Sequence, residues 1–377
     1  MKNLQYNVES NEIFLDKKAS DIIKGVAIIL MLIHHFWGFP QWIIESNKYS
    51  YMLINSLEIE VIIGGFGKIC VAIYAFITGY AIYINRCKYV SLKYRVMKII
   101  KLLLNYWIFA FGFIIVGYLM NERLPDLIHF IHNLFGGSTA VFEYGKGYIC
   151  VTMAWYVSFY ISIMLILPIL LIHTNKGFFV DAFLMSIIFP VMYYIFNITS
   201  MSSIPIIGGL LSNILIYGKC VLIGYYIAQY KVFEIINDLL KINSLLKVVL
   251  AIIICISIFI MRTEIPSLHL DYIYAAVFVF AIILMYKECI KYKVFTWIEK
   301  VILLISTESL NIWFIHSIFF TPERKLQFIA YWLKNSVLIV LWTILLILPI
   351  CKIITKIQDR IWNKIYKLIT YTRQDNI

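Results

Sequence analysis

Charge is the scarcest commodity in this chain. Asp, Glu, Lys and Arg together make up 14% of 377 residues, against roughly 25% in an ordinary soluble domain. That shortage excludes a water-soluble globule of this size. Proline is sparse too, with 8 residues, and no Pro/Gly/Ser-rich linker, low-complexity tail or fixed-period repeat divides the chain, so a single domain over 1–377 is expected. Cysteine clusters are lacking. Cys70, Cys87, Cys150, Cys220, Cys255, Cys289 and Cys351 form no CxxC or CxxxC, which argues against a metal site or disulfide framework and for small apolar fillers. No small-residue cleavage site follows the first apolar run, so that run reads as a retained helix and not a signal peptide. The net charge is +12, yet no soluble region is large enough to read nucleic acid.

What the chain has in abundance is apolar length. Hydrophobic residues reach 62%, gathered in runs near the ~20 residues that cross a hydrocarbon core. Ten such runs, at about 22–39, 66–84, 99–120, 149–172, 177–197, 204–230, 245–261, 269–286, 301–320 and 333–354, predict an all-α integral membrane protein with a helical core over 20–355. The stretch 51–63 is apolar but short, and its Glu58 and Glu60 suggest an interfacial or re-entrant piece. Lys and Arg concentrate before the first run, around 86–101, at 231–247, at 287–300 and after 352. By the positive-inside rule both termini are cytoplasmic, in a multi-pass protein of the inner (cytoplasmic) membrane whose basic loops touch anionic lipid headgroups.

Polar residues at depth carry the functional information, because a charge in the bilayer interior survives only facing protein or water. The first helix contains "SDIIKGVAIILMLIHHF", Ser20 to Phe36. Lys24 and His35 are eleven residues apart, so they share a face, with Asp21 one turn before Lys24 and His34 turned about 80° away. Lys24 has an ordinary alternative as a topology anchor, and His34 reads as packing or support. Arg95, Lys98 and Lys101 recur at i,i+3 spacing at the start of the third helix. They suit a phosphate-rich ligand or, in the plainer reading, lipid headgroups. The ninth run, "ISTESLNIWFIHSIFF", sets Glu308, Ser309, Asn311 and His316 progressively deeper, with His316 at a depth comparable to His35. Thr78 and Tyr80 are donors at depth in the small-residue second helix, and Trp155 and Tyr156 fall where aromatic belts sit.

These pieces, in this order, resemble acyltransferase family 3. That family opens with Arg, ten residues, then His; here Lys24 and His35 hold those positions. "VAIYAFITGY", Val71 to Tyr80, is similar to its second-helix element, Arg95 and Lys98 stand at its Arg-x-x-Arg, Trp155, Tyr156, Val157 and Pro168 match its Trp element, and "SLNIWFIHS", Ser309 to Ser317, matches its late Ser…His element. The resemblance spans about 16–355, with no fused C-terminal hydrolase-like domain. It implies transfer of an acyl group, usually acetyl from acetyl-CoA as a donor substrate with no resident cofactor, to a hydroxyl of an exported carbohydrate, with polysaccharide-export machinery as a partner. Two lysines replace arginines and lose the planar fork that grips an anion at two points.

On this reading His35 is the general base or takes the acyl group itself, and Lys24, Arg95 and Lys98 hold the CoA phosphates. Asp21 steadies Lys24. His316, with Ser309 or Asn311, orients the acceptor or stabilises the oxyanion. Tyr80, Trp155 and Glu308 are supporting or acceptor-binding candidates. Two other classes compete. A proton-coupled transporter or glycan flippase would also bury His, Lys and Glu, although no inverted repeat is visible, and a sensor or assembly protein would be a degenerate form of the same fold.

Overall fold

The computed structural model describes residues 13–54, 57–121, 123–136, 151, 153–171, 177–201, 207–293, 295–320 and 326–371. It is an all-α membrane protein. The principal helices in chain order are α1 (Lys17–Trp37), α2 (Ile59–Gly67), α3 (Cys70–Ile84), α4 (Leu92–Leu119), α5 (Trp155–Leu171), α6 (Phe178–Ile198), α7 (Ile207–Gln229), α8 (Ser244–Glu264), α9 (Asp271–Cys289), α10 (Phe295–Thr307), α11 (Ser309–Ile315) and α12 (Ser336–Tyr371). Among the described residues the one β element is a two-stranded antiparallel ribbon, Leu53–Ile54 with Leu57–Glu58.

Among the described residues eight spans are long and apolar enough to cross a membrane, with α2 and α3 counted together as Ile59–Ile84, and the bent pair Phe295–Thr307 and Ser309–Phe320 supplies a ninth. Helix α5 is apolar but has only 17 residues. Three expected boundaries move. The stretch at 51–63, expected as one short interfacial or re-entrant piece, is divided: Leu53–Ile54 pairs with Leu57–Glu58 in the ribbon and Ile59 already begins α2, which runs on into α3 through a tightened turn (Ile69 N donates to Phe66 O, 3.0 Å). The ninth run is not one straight helix. It bends by 60° at Glu308, whose carboxylate bonds sideways to α12. Helix α12 continues 17 residues past the expected end at 354, to Tyr371.

Lipid tails are as apolar as leucine, so close packing and polar contacts, not hydrophobicity, hold such helices together. The inner helix α7 has 72% of its apolar window buried, whereas the peripheral α8 has 11%. Helices α3 and α7 cross nearly backbone to backbone. A Cβ on Gly79 would lie 1.7 Å from Val221 O, so no other residue fits there. Helix α1 runs through the interior against α2, α3, α9 and α10, and both its ends are tied. Asp16 caps its start by accepting from Ala19 N at 2.7 Å, Lys18 pairs with Glu299 of α10 at 2.5 Å, and Trp37 Nε1 donates to Ser336 O at 2.9 Å.

Candidate active site

The last turn of α1 and the turn after α11 bring His35 and His316 together, with ring centroids 4.8 Å apart. Both are buried, His316 completely. His35 Nδ1 lies 3.0 Å from Met31 O, and His316 Nδ1 lies 2.7 Å from Trp313 O. A carbonyl oxygen only accepts, so each Nδ1 carries the proton and each neutral ring keeps its lone pair on Nε2. His316 Nε2 is buried without a hydrogen-bond partner. Two imidazoles thus stand side by side with their basic nitrogens uncommitted to backbone.

His34 is nearer to this pair than its helical angle suggested. Its ring is 4.9 Å from that of His35, and its Nδ1 donates to Gly64 O at 2.7 Å. That bond is reachable because α2 meets the end of α1 without side chains between them: a Cβ on Gly64 would lie 2.4 Å from Gly38 N. Beside it sits a buried ion pair that sequence reading missed. Arg262 at the end of α8 grips Asp271 at the start of α9 with two bonds (Nε–Oδ1 2.8 Å, Nη2–Oδ2 3.1 Å), at 5% and 0% exposure. Its Nη1 donates to Gly65 O (2.9 Å) and Phe66 O (3.2 Å). These are the last carbonyls of α2, the negative end of that helix dipole. A charged residue on each side of a short connection between two apolar helices, Arg262 and Asp271, was the available signal.

Below His316, toward Lys98, lies a cavity of about 370 Å³. Lys98, Lys101 and Asn105 of α4 line it, with Tyr74, Thr78, Tyr156, Tyr160 and Ser309. Trp313 is part of its lining, packed against Tyr74 at 5.5 Å and Tyr156 at 5.4 Å, with its Nε1 donating to Met153 O at 2.9 Å. Neither His35 nor His316 lines the cavity.

The remaining expected site residues divide. Lys98 and Ser309 border the cavity. Arg95 does not. It is buried against α5, where its Nη1 donates to Met164 O at 2.7 Å, while its Nε is buried without a partner. Lys24 pairs with Asp21 at 3.0 Å, both about one-third exposed, and Tyr74 Oη donates to Lys24 O at 3.1 Å. Glu308 and Asn311 turn away from the histidines toward α12. Thr355 Oγ1 donates to Glu308 Oε2 at 2.6 Å, and Asn311 exchanges bonds with Gln358 (Nδ2 to Oε1 3.2 Å, Nε2 to Oδ1 3.0 Å). Tyr80 lies apart as well, its hydroxyl on Glu234 Oε1 at 3.2 Å. Trp155 stacks on Tyr217 at 5.4 Å.

The arrangement combines two free imidazole bases with a separate cavity edged by lysines, which suits transfer of a group between a charged donor and an acceptor hydroxyl. No curated protein and no solved structure matches the chain. The family model described as an acyltransferase domain matches residues 17–356, nearly the whole length, and the chain therefore belongs to acyltransferase family 3.

Proposed function

We propose that this acyltransferase moves an acetyl group from cytoplasmic acetyl-CoA to a hydroxyl of a cell-surface or exported polysaccharide, working in the cell membrane with its Lys/Arg-rich end and both termini in the cytoplasm. The observation that carries this reading is the His35–His316 pair with both Nε2 lone pairs free. An imidazole in this tautomer takes the proton of an acceptor hydroxyl as its oxygen attacks the thioester carbonyl. The C–S bond breaks and the departing thiolate receives the proton, leaving an ester and free CoA.

Lys98 and Lys101 stand where the anionic end of CoA would rest, and the hydroxyl-lined cavity between them and Trp313 suits a long, weakly polar arm. Arg95 assists from behind by holding α5 against α4. Lys24, paired with Asp21 at the same basic end, contributes positive potential. His316 serves as a second base: with Nδ1 protonated toward Trp313 O, its Nε2 has no proton to give an oxyanion.

Purified protein incubated with radiolabelled acetyl-CoA and glycans from the parent cell should yield base-labile label on the glycan. His35→Ala should yield none while accumulating in the membrane at the parental level. Normal labelling by His35→Ala would sink the assignment. Mass spectrometry of surface glycans from a deletion strain would identify the acceptor, by the ester that disappears.

A further inference from the structure

Three aromatic rings continue in near-parallel order from His316. Phe39 stacks on Trp42 at 4.4 Å and 12°, Trp42 on Phe320 at 5.7 Å and 14°, and Phe320 on His316 at 5.3 Å and 15°. Phe320 also lies 4.7 Å from the His35 ring, and Phe39 lies 6.0 Å from it at 20°. Phe39 and Trp42 belong to the segment that leaves α1 and holds two short 3₁₀ turns, Pro40–Trp42 and Glu45–Asn47. It is fastened from beneath.

Gln327 is the fastening. Its side chain is completely buried, and every hydrogen-bonding position it owns is filled. Nε2 donates to Trp42 O (2.8 Å) and Phe320 O (2.9 Å), and Oε1 accepts from Ile44 N (2.8 Å) and Asn47 Nδ2 (3.1 Å). One amide therefore fixes the backbone of two of the stacked residues relative to each other. Lys334 Nζ adds a bond to Ser46 O at 2.6 Å, and Tyr331 Oη one to Phe36 O at 3.1 Å. Leaving the buried Gln327 partners unpaired is costly, so the segment does not drift off the histidines easily.

The geometry points to a water seal: the Phe39–Trp42–Phe320 stack, pinned by Gln327, keeps bulk water off His35 and His316 and so sets the enzyme's preference for transfer over hydrolysis. This rests on the acyl-CoA reading above. A base that activates a sugar hydroxyl activates water equally well. With water at hand, the water oxygen would attack the thioester carbonyl, its proton would pass to a histidine Nε2, the C–S bond would break, and acetate and CoA thiol would leave. A site that excludes water suppresses that side reaction. Phe39, Trp42 and Phe320 are specificity-determining residues in this sense, and Gln327 is a positioning residue.

The test uses the full-length protein in lipid nanodiscs and follows CoA release from acetyl-CoA without glycan, beside glycan acetylation with it. Trp42→Ala should raise acceptor-free CoA release about tenfold and lower the ratio of transfer to hydrolysis by a similar factor. Trp42→Phe, which keeps a ring in the stack, should restore the ratio to within twofold of the parent. Gln327→Leu should shift the ratio in the same direction as Trp42→Ala, and is the second variant should Trp42→Ala fail to accumulate. The extra release should vanish in Trp42→Ala with His35→Ala. An unchanged ratio in the Trp42 and Gln327 variants that accumulate, with the parent still acetylating glycan, overturns the seal alone. A parent protein inert toward acetyl-CoA and glycan together overturns the donor reading and the seal with it.

Discussion

The cavity edged by Lys98 and Lys101 and the surroundings of the histidine pair are two compartments built differently. The cavity carries cations, an amide and hydroxyls on a mainly apolar lining. Around the histidines each Nδ1 is spent on a backbone carbonyl, the walls are rings, and the Gln327 amide nearby is saturated. On the proposed reading the first receives a charged, flexible donor and the second selects a hydroxyl over water. The contrast implies that binding and chemistry are separable by mutation, and the variants below are ranked by how hard they press on that claim.

The largest effect belongs to the chamber. His35→Gln retains a hydrogen-bonding side chain but not the titrating base, and transfer should fall on the order of 10²–10⁴-fold, while acetyl-CoA affinity measured by equilibrium binding stays within about twofold. A matching loss of affinity would mean that the two compartments are one. Next comes the support beneath the chamber. Arg262→Met leaves Asp271 buried and without its guanidinium partner and removes one donor each from the Gly65 and Phe66 carbonyls. Removing one partner of a buried pair costs about 3–5 kcal/mol, so thermal unfolding in detergent should come at a clearly lower temperature. Replacing both partners, Arg262→Met with Asp271→Leu, should recover much of that loss.

A smaller change is expected from the cavity. Lys101→Met removes one positive charge from the donor's end, and a charge-assisted contact contributes about 1.5–3 kcal/mol. KM for acetyl-CoA should rise roughly tenfold with kcat little altered, and the penalty should shrink as salt is raised. A fall in kcat without a change in KM would place the donor elsewhere.

How much of this was legible beforehand follows from what a helix records. Spacing along one helix is periodic, so the shared depth of His35 and His316 and the basic edge at Lys98 were readable from sequence. What two helices do to each other is not periodic. The fate of Arg95, turned onto Met164 O, depends on where α5 lies. Asn311 is expected beside His316 on a straight helix; past the 60° bend at Glu308, Glu308 bonds Thr355 and Asn311 bonds Gln358 instead. Gln327 carries no sequence signal at all, since a lone glutamine between apolar runs looks like a loop residue until four partners converge on it.

The smallest expected effect concerns the pair that looked most informative in sequence. Asp21 and Lys24 form an ion pair of 3.0 Å, between the 2.8 and 3.1 Å of the two Arg262–Asp271 bonds, but with side chains 33% and 35% exposed against 0% and 5%. Water already solvates both partners, so little is gained when they meet and little is lost when they part. Exposed pairs contribute about 0.2–1 kcal/mol. Asp21→Asn should therefore move the unfolding midpoint far less than Arg262→Met does, and raise KM for acetyl-CoA less than Lys101→Met does. If Asp21→Asn instead abolished transfer with the protein still folded, Lys24 would be a donor ligand held in place by Asp21, and the boundary between the two compartments would have to be redrawn to include the start of α1.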